Sequence, residues 1–120
     1  MSAAAKPRRW CPPGALAWAT AMLLASADCA ALDVIQAQTL ARQSGCLACH
    51  SVYQKKAGPA WKDVAAKYLG SVGAEDRLYL HVTTGRKARF DDGHEEDHPI
   101  IKTGDRDRIN NLVNWVLSLR

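Results

Sequence analysis

Methionine is missing beyond residue 22: the chain has two, Met1 and Met22. Everything that follows them functions without a thioether side chain. A surplus of one charge is also missing once the N-terminal segment is set aside. The 120 residues hold 16 Lys+Arg and 12 Asp+Glu, but Lys6, Arg8 and Arg9 lie ahead of Asp28. From Asp28 onward 13 basic residues face the same 12 acidic ones. That balance excludes the basic stripe of a nucleic-acid-binding domain. No apolar run reaches the roughly 20 residues that cross a bilayer. Internal repeats, low-complexity tracts and convincing alternating strand patterns are absent as well. What remains, at 48% hydrophobic and 23% charged residues, is the composition of one small globular domain.

The first 27 residues read as an export leader. Lys6, Arg8 and Arg9 form a positive n-region without an acid, and Gly14 to Ala27 is a 14-residue apolar stretch of h-region length. Ala25-Ser26-Ala27 places small residues at −3 and −1 for cleavage before Asp28; a second cut, after Ala31, has Cys29 and Ala31 there. A retained membrane anchor is the alternative. Arg8-Arg9 lacks the flanks of a twin-arginine signal, and Asp28 spoils a lipoprotein context for Cys29. The leader implies a periplasmic protein, with no membrane span in the mature form and a domain over 32–120.

The mature chain reads as helical. Asp33 is an N-cap for a helix to about Ser44, with Leu40 and Ala41 inward and Gly45 at C′. Gly58-Pro59 breaks the chain before a short helix from Trp61 to Tyr68, and Glu75 to about Thr83 forms a third helix closed by Gly85. The last starts at Asp105 and carries Ile109, Leu112, Val113, Val116 and Leu119 at the 3.6-residue period. Trp115 borders that stripe and reads as a core aromatic where the first and last helices cross.

Cys11 leaves with the leader, and Cys29 leaves too under the second cut, where it would otherwise be an unpaired thiol. What stays is Cys46-Leu47-Ala48-Cys49-His50. A disulfide across two residues closes too short a loop to stabilise much. A thioredoxin-like centre needs a βαβ context, and zinc needs four ligands that only distant histidines complete. C-x-x-C-H is the attachment signature of c-type haem. Two thiols one helical turn apart reach the two vinyl groups of one porphyrin, and the following histidine is carried under the iron as proximal ligand.

From Leu40 to Arg120 the sequence resembles a small bacterial class I cytochrome c, a single-haem electron carrier. The resemblance rests on Gly45-Cys46-Leu47-Ala48-Cys49-His50, on Gly58-Pro59-Ala60-Trp61-Lys62-Asp63-Val64-Ala65-Ala66-Lys67-Tyr68 and on Trp115-Val116-Leu117-Ser118. It implies an all-α fold of about four short helices around one covalent haem c. It also implies thioethers at Cys46 and Cys49 and proximal ligation by His50, whose ring would donate to the backbone carbonyl of Pro59. Trp61 and Phe90 are further expected haem contacts. Relatives supply the distal ligand as a methionine followed by proline, and here the sequence departs from them. The loop Gly85 to Thr103 offers His94 and His98 instead, and His98-Pro99 stands in place of Met-Pro. His98 is the first choice for distal ligand, His94 the second, and an open site the third. Phe90 and Ile100-Ile101 are expected to lie against the porphyrin while the acidic run stays in water. His81, inside the third helix, reads as a surface or packing histidine. Arg86, Lys87 and Arg89 are candidate partners for haem propionates or an acidic protein, or are simply solvated.

These features lead to a periplasmic electron-transfer cytochrome of lower potential than its methionine-ligated relatives. It is expected to be a monomer or a member of transient complexes with periplasmic redox proteins, docking through an apolar rim at the haem edge. No nucleophile–base pair or second cofactor motif suggests an enzyme. The alternatives are a haem protein that binds or senses gases, and the cytochrome subunit of a periplasmic dehydrogenase.

Overall fold

The structure, a computed structural model, describes residues 31–120. The leader expected over residues 1–27 and Cys29 lie outside the described residues. Helix α1 spans Val34–Gln43, with the Asp33 carboxylate accepting from Gln36 N–H at its start. It ends at Ser44, and Gly45 follows with φ of 73°, a left-handed conformation in which glycine suffers no Cβ clash. That reversal leads directly into a 3₁₀ turn over Cys46–Ala48. Helix α2 covers Trp61–Lys67, α3 covers Ala74–Thr84, and α4 covers Arg106–Ser118. Asp105 caps α4 by accepting from Arg108 N–H at 3.1 Å.

Helix α4 is the element on which the others lean: it packs against α1, α2 and α3. Ile109, Leu112, Val113, Trp115 and Val116 are all buried, so the 3.6-residue stripe becomes the core face. Leu119, placed in that stripe by its spacing, is instead the C-cap, with extended backbone and partial burial, because the helix stops at Ser118. Ala37, Leu40 and Ala41 of α1 complete the core with Trp61 of α2. Small residues on α1 let the two helices approach closely. Their crossing is also tied by polar groups: Asn111 accepts from Asp33 N–H at 2.9 Å and donates to its carbonyl at 2.7 Å. The rings of Trp61 and Trp115 meet edge to face, centroids 5.4 Å apart, a favourable quadrupole arrangement.

The all-helical expectation needs one amendment. Between α3 and α4, β1 (Lys87–Arg89) pairs antiparallel with β2 (Glu95–Asp97), with Lys87 opposite Asp97 and Arg89 opposite Glu95. Five of these six residues are exposed. With no buried face there is no alternation of apolar and polar residues, so periodicity has nothing to detect. The cross-strand partners carry opposite charges, and Lys87 Nζ lies 2.7 Å from Asp97 Oδ1.

Ile109 is 1% exposed and is the largest fully buried side chain. Ile109→Ala is therefore expected to cost about 2–5 kcal/mol, measured as a lowered midpoint of denaturant unfolding in the haem-loaded protein with an unchanged m-value.

Candidate functional site

The 3₁₀ turn keeps Cys46, Cys49 and His50 together, with His50 N–H and Cys49 N–H both donating to the Cys46 carbonyl at 3.0 and 3.2 Å. Both thiols are unpaired. Burial pushes the Cys46 thiol up from its ordinary value, so it stays protonated at neutral pH.

His50 is held from three directions. Its Nδ1–H donates to the Pro59 carbonyl at 2.8 Å. Its ring stacks on Trp61, centroids 5.7 Å apart and planes 23° apart. Its third neighbour is the backbone of Gly58, so near that a Cβ there would lie 2.5 Å from Cε1 and 2.9 Å from Nδ1. Only glycine fits. The sequence marks Gly58 as a turn residue, and the close approach is legible only in three dimensions. The segment between is tied back by Gly58 N–H to Cys49 carbonyl at 2.7 Å and Trp61 N–H to Ser51 carbonyl at 2.9 Å. With Nδ1 committed, Nε2 is the nitrogen left for a ligand.

Across from His50 lies His98, ring centroids 6.0 Å apart. Main-chain bonds place it. His98 N–H donates to the Arg86 carbonyl at 3.1 Å and Ile101 N–H to the Val82 carbonyl at 2.8 Å, laying the chain back along the end of α3. The His98 Nδ1–H donates to the Pro99 carbonyl at 2.8 Å, again leaving Nε2. Burial, with a smaller contribution from His50, lowers the His98 pKa, whereas the bond to Pro99 opposes that shift. His98 is therefore held neutral, the form that binds metals.

The two histidines line one cleft of about 270 Å³ whose remaining surface includes Cys46, Cys49, Trp61, Phe90, Ile101 and Val113. Ile101 is buried there, but Ile100 is 46% exposed. Ile100 thus lies on the outside, because the chain is extended at that point and successive side chains point to opposite sides.

Two other histidines have surroundings of their own. His94, the second choice for distal ligand, does not line the cleft. It stacks on Phe90 at 4.3 Å, its Nδ1 bonds the Asp92 carboxylate, and Nε2 lies 3.3 Å from Glu96. The hydrogen bond that the ring donates to Asp92 is the main reason its pKa is raised, which favours the protonated form, and both ring nitrogens are engaged. His81, read as a surface or packing residue, does line the cleft, with its ring 4.3 Å from that of His98. Burial and then the neighbouring His98 lower its pKa. A helical wheel registered to Leu78 and Val82 could have found it, since position 81 adjoins both. Of the three basic candidates, Arg89 lines the cleft, Lys87 pairs with Asp97, and Arg86 supplies only the carbonyl that holds His98.

An apolar slot with two thiols on its rim and a free imidazole nitrogen on each wall fits an iron porphyrin. Comparison with known proteins agrees. Residues 34–120 match the cytochrome c family. The chain is 41% identical over 80 residues to cytochrome c-551 of Allochromatium vinosum, covering 67% of this chain and 82% of that protein. It is 38% identical over 82 residues to cytochrome c2 of Rhodocyclus tenuis, covering 68% and 89%. Among solved structures, the class 1 cytochrome MtoD of Sideroxydans lithotrophicus ES-1 superposes with a TM-score of 0.71 at 50% identity, covering 74% of this chain and 98% of that one. The fold is that of a class I cytochrome c. The chain belongs to the cytochrome c family: it is a small electron-transfer protein with one covalent haem c, and not an enzyme.

Gly58→Ala forces its methyl group into the His50 ring. The expected cost is about 1–3 kcal/mol, read by thermal unfolding, together with displaced NMR signals of the His50 ring. A parent-like spectrum and stability would show that the glycine contact does not position the ring.

Proposed function

We propose that the protein is a periplasmic electron carrier whose haem is attached through thioethers at Cys46 and Cys49 and is ligated by His50 and His98. The observation that carries the ligand assignment is the 6.0 Å between the two ring centroids. Two metal–imidazole bonds of about 2 Å each, plus the half-widths of two rings, span roughly 6 Å. The loop histidine with both nitrogens spoken for, His94, has neither the position nor the lone pair for this role.

The haem supplies one-electron exchange between ferric and ferrous iron. The chain supplies the rest. Pro59 and Gly58 orient His50, while Trp61, Phe90 and Ile101 line the slot and keep water from it. Imidazole in place of a thioether sets the potential below that of methionine-ligated relatives, because methionine ligation raises it. Cys49, Ala48 and Leu47 are exposed beside the cleft, and this small rim on a nearly neutral chain suits brief docking to periplasmic redox proteins better than charge steering. Among the described residues no helix is long and apolar enough to cross a membrane. In this reading the leader is removed after Ala27 or Ala31 on export.

Replacing both Cys46 and Cys49 by Ala is expected to leave no covalent haem, checked by intact mass and by haem staining of the denatured chain. Retention of covalent haem by the double variant would refute the attachment. His98→Met is expected to raise the midpoint potential and bring in the weak long-wavelength band of sulfur–iron ligation. His94→Ala is expected to leave both unchanged; the opposite pattern transfers the distal role to His94.

A further inference from the structure

We infer that His81 is a reserve distal ligand, able to take the iron when His98 leaves it; the inference rests on the His50/His98 reading above. Three imidazoles line the cleft, His50, His81 and His98. His98 and His81 lie side by side, ring centroids 4.3 Å apart and planes at 48°. Unlike the other two, the His81 ring makes no hydrogen bond among the described residues. Its lone pair is uncommitted, and the residue is half-buried.

The two candidate donors are tethered independently. His81 stands on α3, between Leu78 and Val82, which pack against the core. His98 follows the exposed strand β2 and is held by main-chain bonds from His98 to Arg86, just past α3, and from Ile101 to Val82 in α3. Loss of the His98 ring removes its contact with the His81 ring but none of the packing through Leu78 and Val82 that places His81 on the core side of α3. The separation of 4.3 Å is of the size that changes of side-chain rotamer cover. The exchange is simple in chemical terms. With haem bound, the neutral His81 imidazole would replace the neutral His98 imidazole as donor, so neither a proton nor an electron would need to move. Its consequence is that opening of the distal loop does not leave a coordination position free for a small gas.

The test uses electron paramagnetic resonance of the ferric, haem-loaded protein in four forms: parent, His98→Ala, His81→Gln and the double variant. The expected result is low-spin iron in His98→Ala with g-values displaced from the parent, a parent-like spectrum in His81→Gln, and high-spin iron in the double variant. High-spin iron in His98→Ala alone would overturn the inference and leave His98 as the ligand. Low-spin iron persisting in the double variant would also overturn it, because the donor would then come from elsewhere. A His98→Ala spectrum identical to the parent would instead overturn the His98 assignment itself, and this inference with it. Circular dichroism of each variant separates a change of ligand from a failure to fold.

Discussion

In the site an imidazole ring lies so close to a peptide backbone that no Cβ fits between them, and the neighbouring contacts follow from that approach. Gly58 can lie against His50 only because it has no Cβ, and Pro59 turns its carbonyl to the ring's Nδ1 only because the chain bends there. The same bend starts α2 at Trp61, whose ring also stacks on His50 and meets Trp115 of α4 edge-on. A short sequence of contacts thus runs from the Cys46–His50 turn to the centre of the core. A side chain added at position 58 disturbs the ring and, through Trp61, the seat of α4.

This arrangement divides the energetic work. Stability comes from the apolar face of α4 and the small residues of α1, where burial is nearly complete. The elements over the distal side bury little. The hairpin strands are exposed, and the Lys55–Asp91 pair that joins the loop after His50 to the hairpin turn, 2.7 Å to Oδ1, lies in solvent. An exposed pair of that kind contributes at most about 1 kcal/mol. The distal segment is held mainly by a few main-chain hydrogen bonds to the end of α3. Low burial there marks a segment that adds little to the stability of the fold.

The histidines of this region show how environment, not residue type, assigns roles. His98 and His81 are half-buried among apolar groups that disfavour the charged form. His94 is only four residues before His98, yet it sits between two carboxylates that favour the charged form. One environment favours the neutral imidazole; the other favours the charged form within an acidic turn.

Much of this was legible in the linear sequence, because the signals concerned are local. N-caps at Asp33 and Asp105, the stripe on α4 and the C-x-x-C-H spacing depend on neighbours within a turn or two, and the structure has the helices within a residue or so of their expected bounds. The absence of methionine, too, is a property of the sequence by itself, and it turned attention to the two loop histidines. What only the tertiary structure decided involves groups far apart in the chain. Which of His94 and His98 faces the cleft depends on how the hairpin turns, and a hairpin whose strands are nearly all exposed has no sequence period. His81 joins His98 because main-chain bonds lay the loop back on α3, and Gly58 is obligatory because a ring eight residues earlier folds onto it. Local spacing determines which elements form; through-space approach determines which side chains meet.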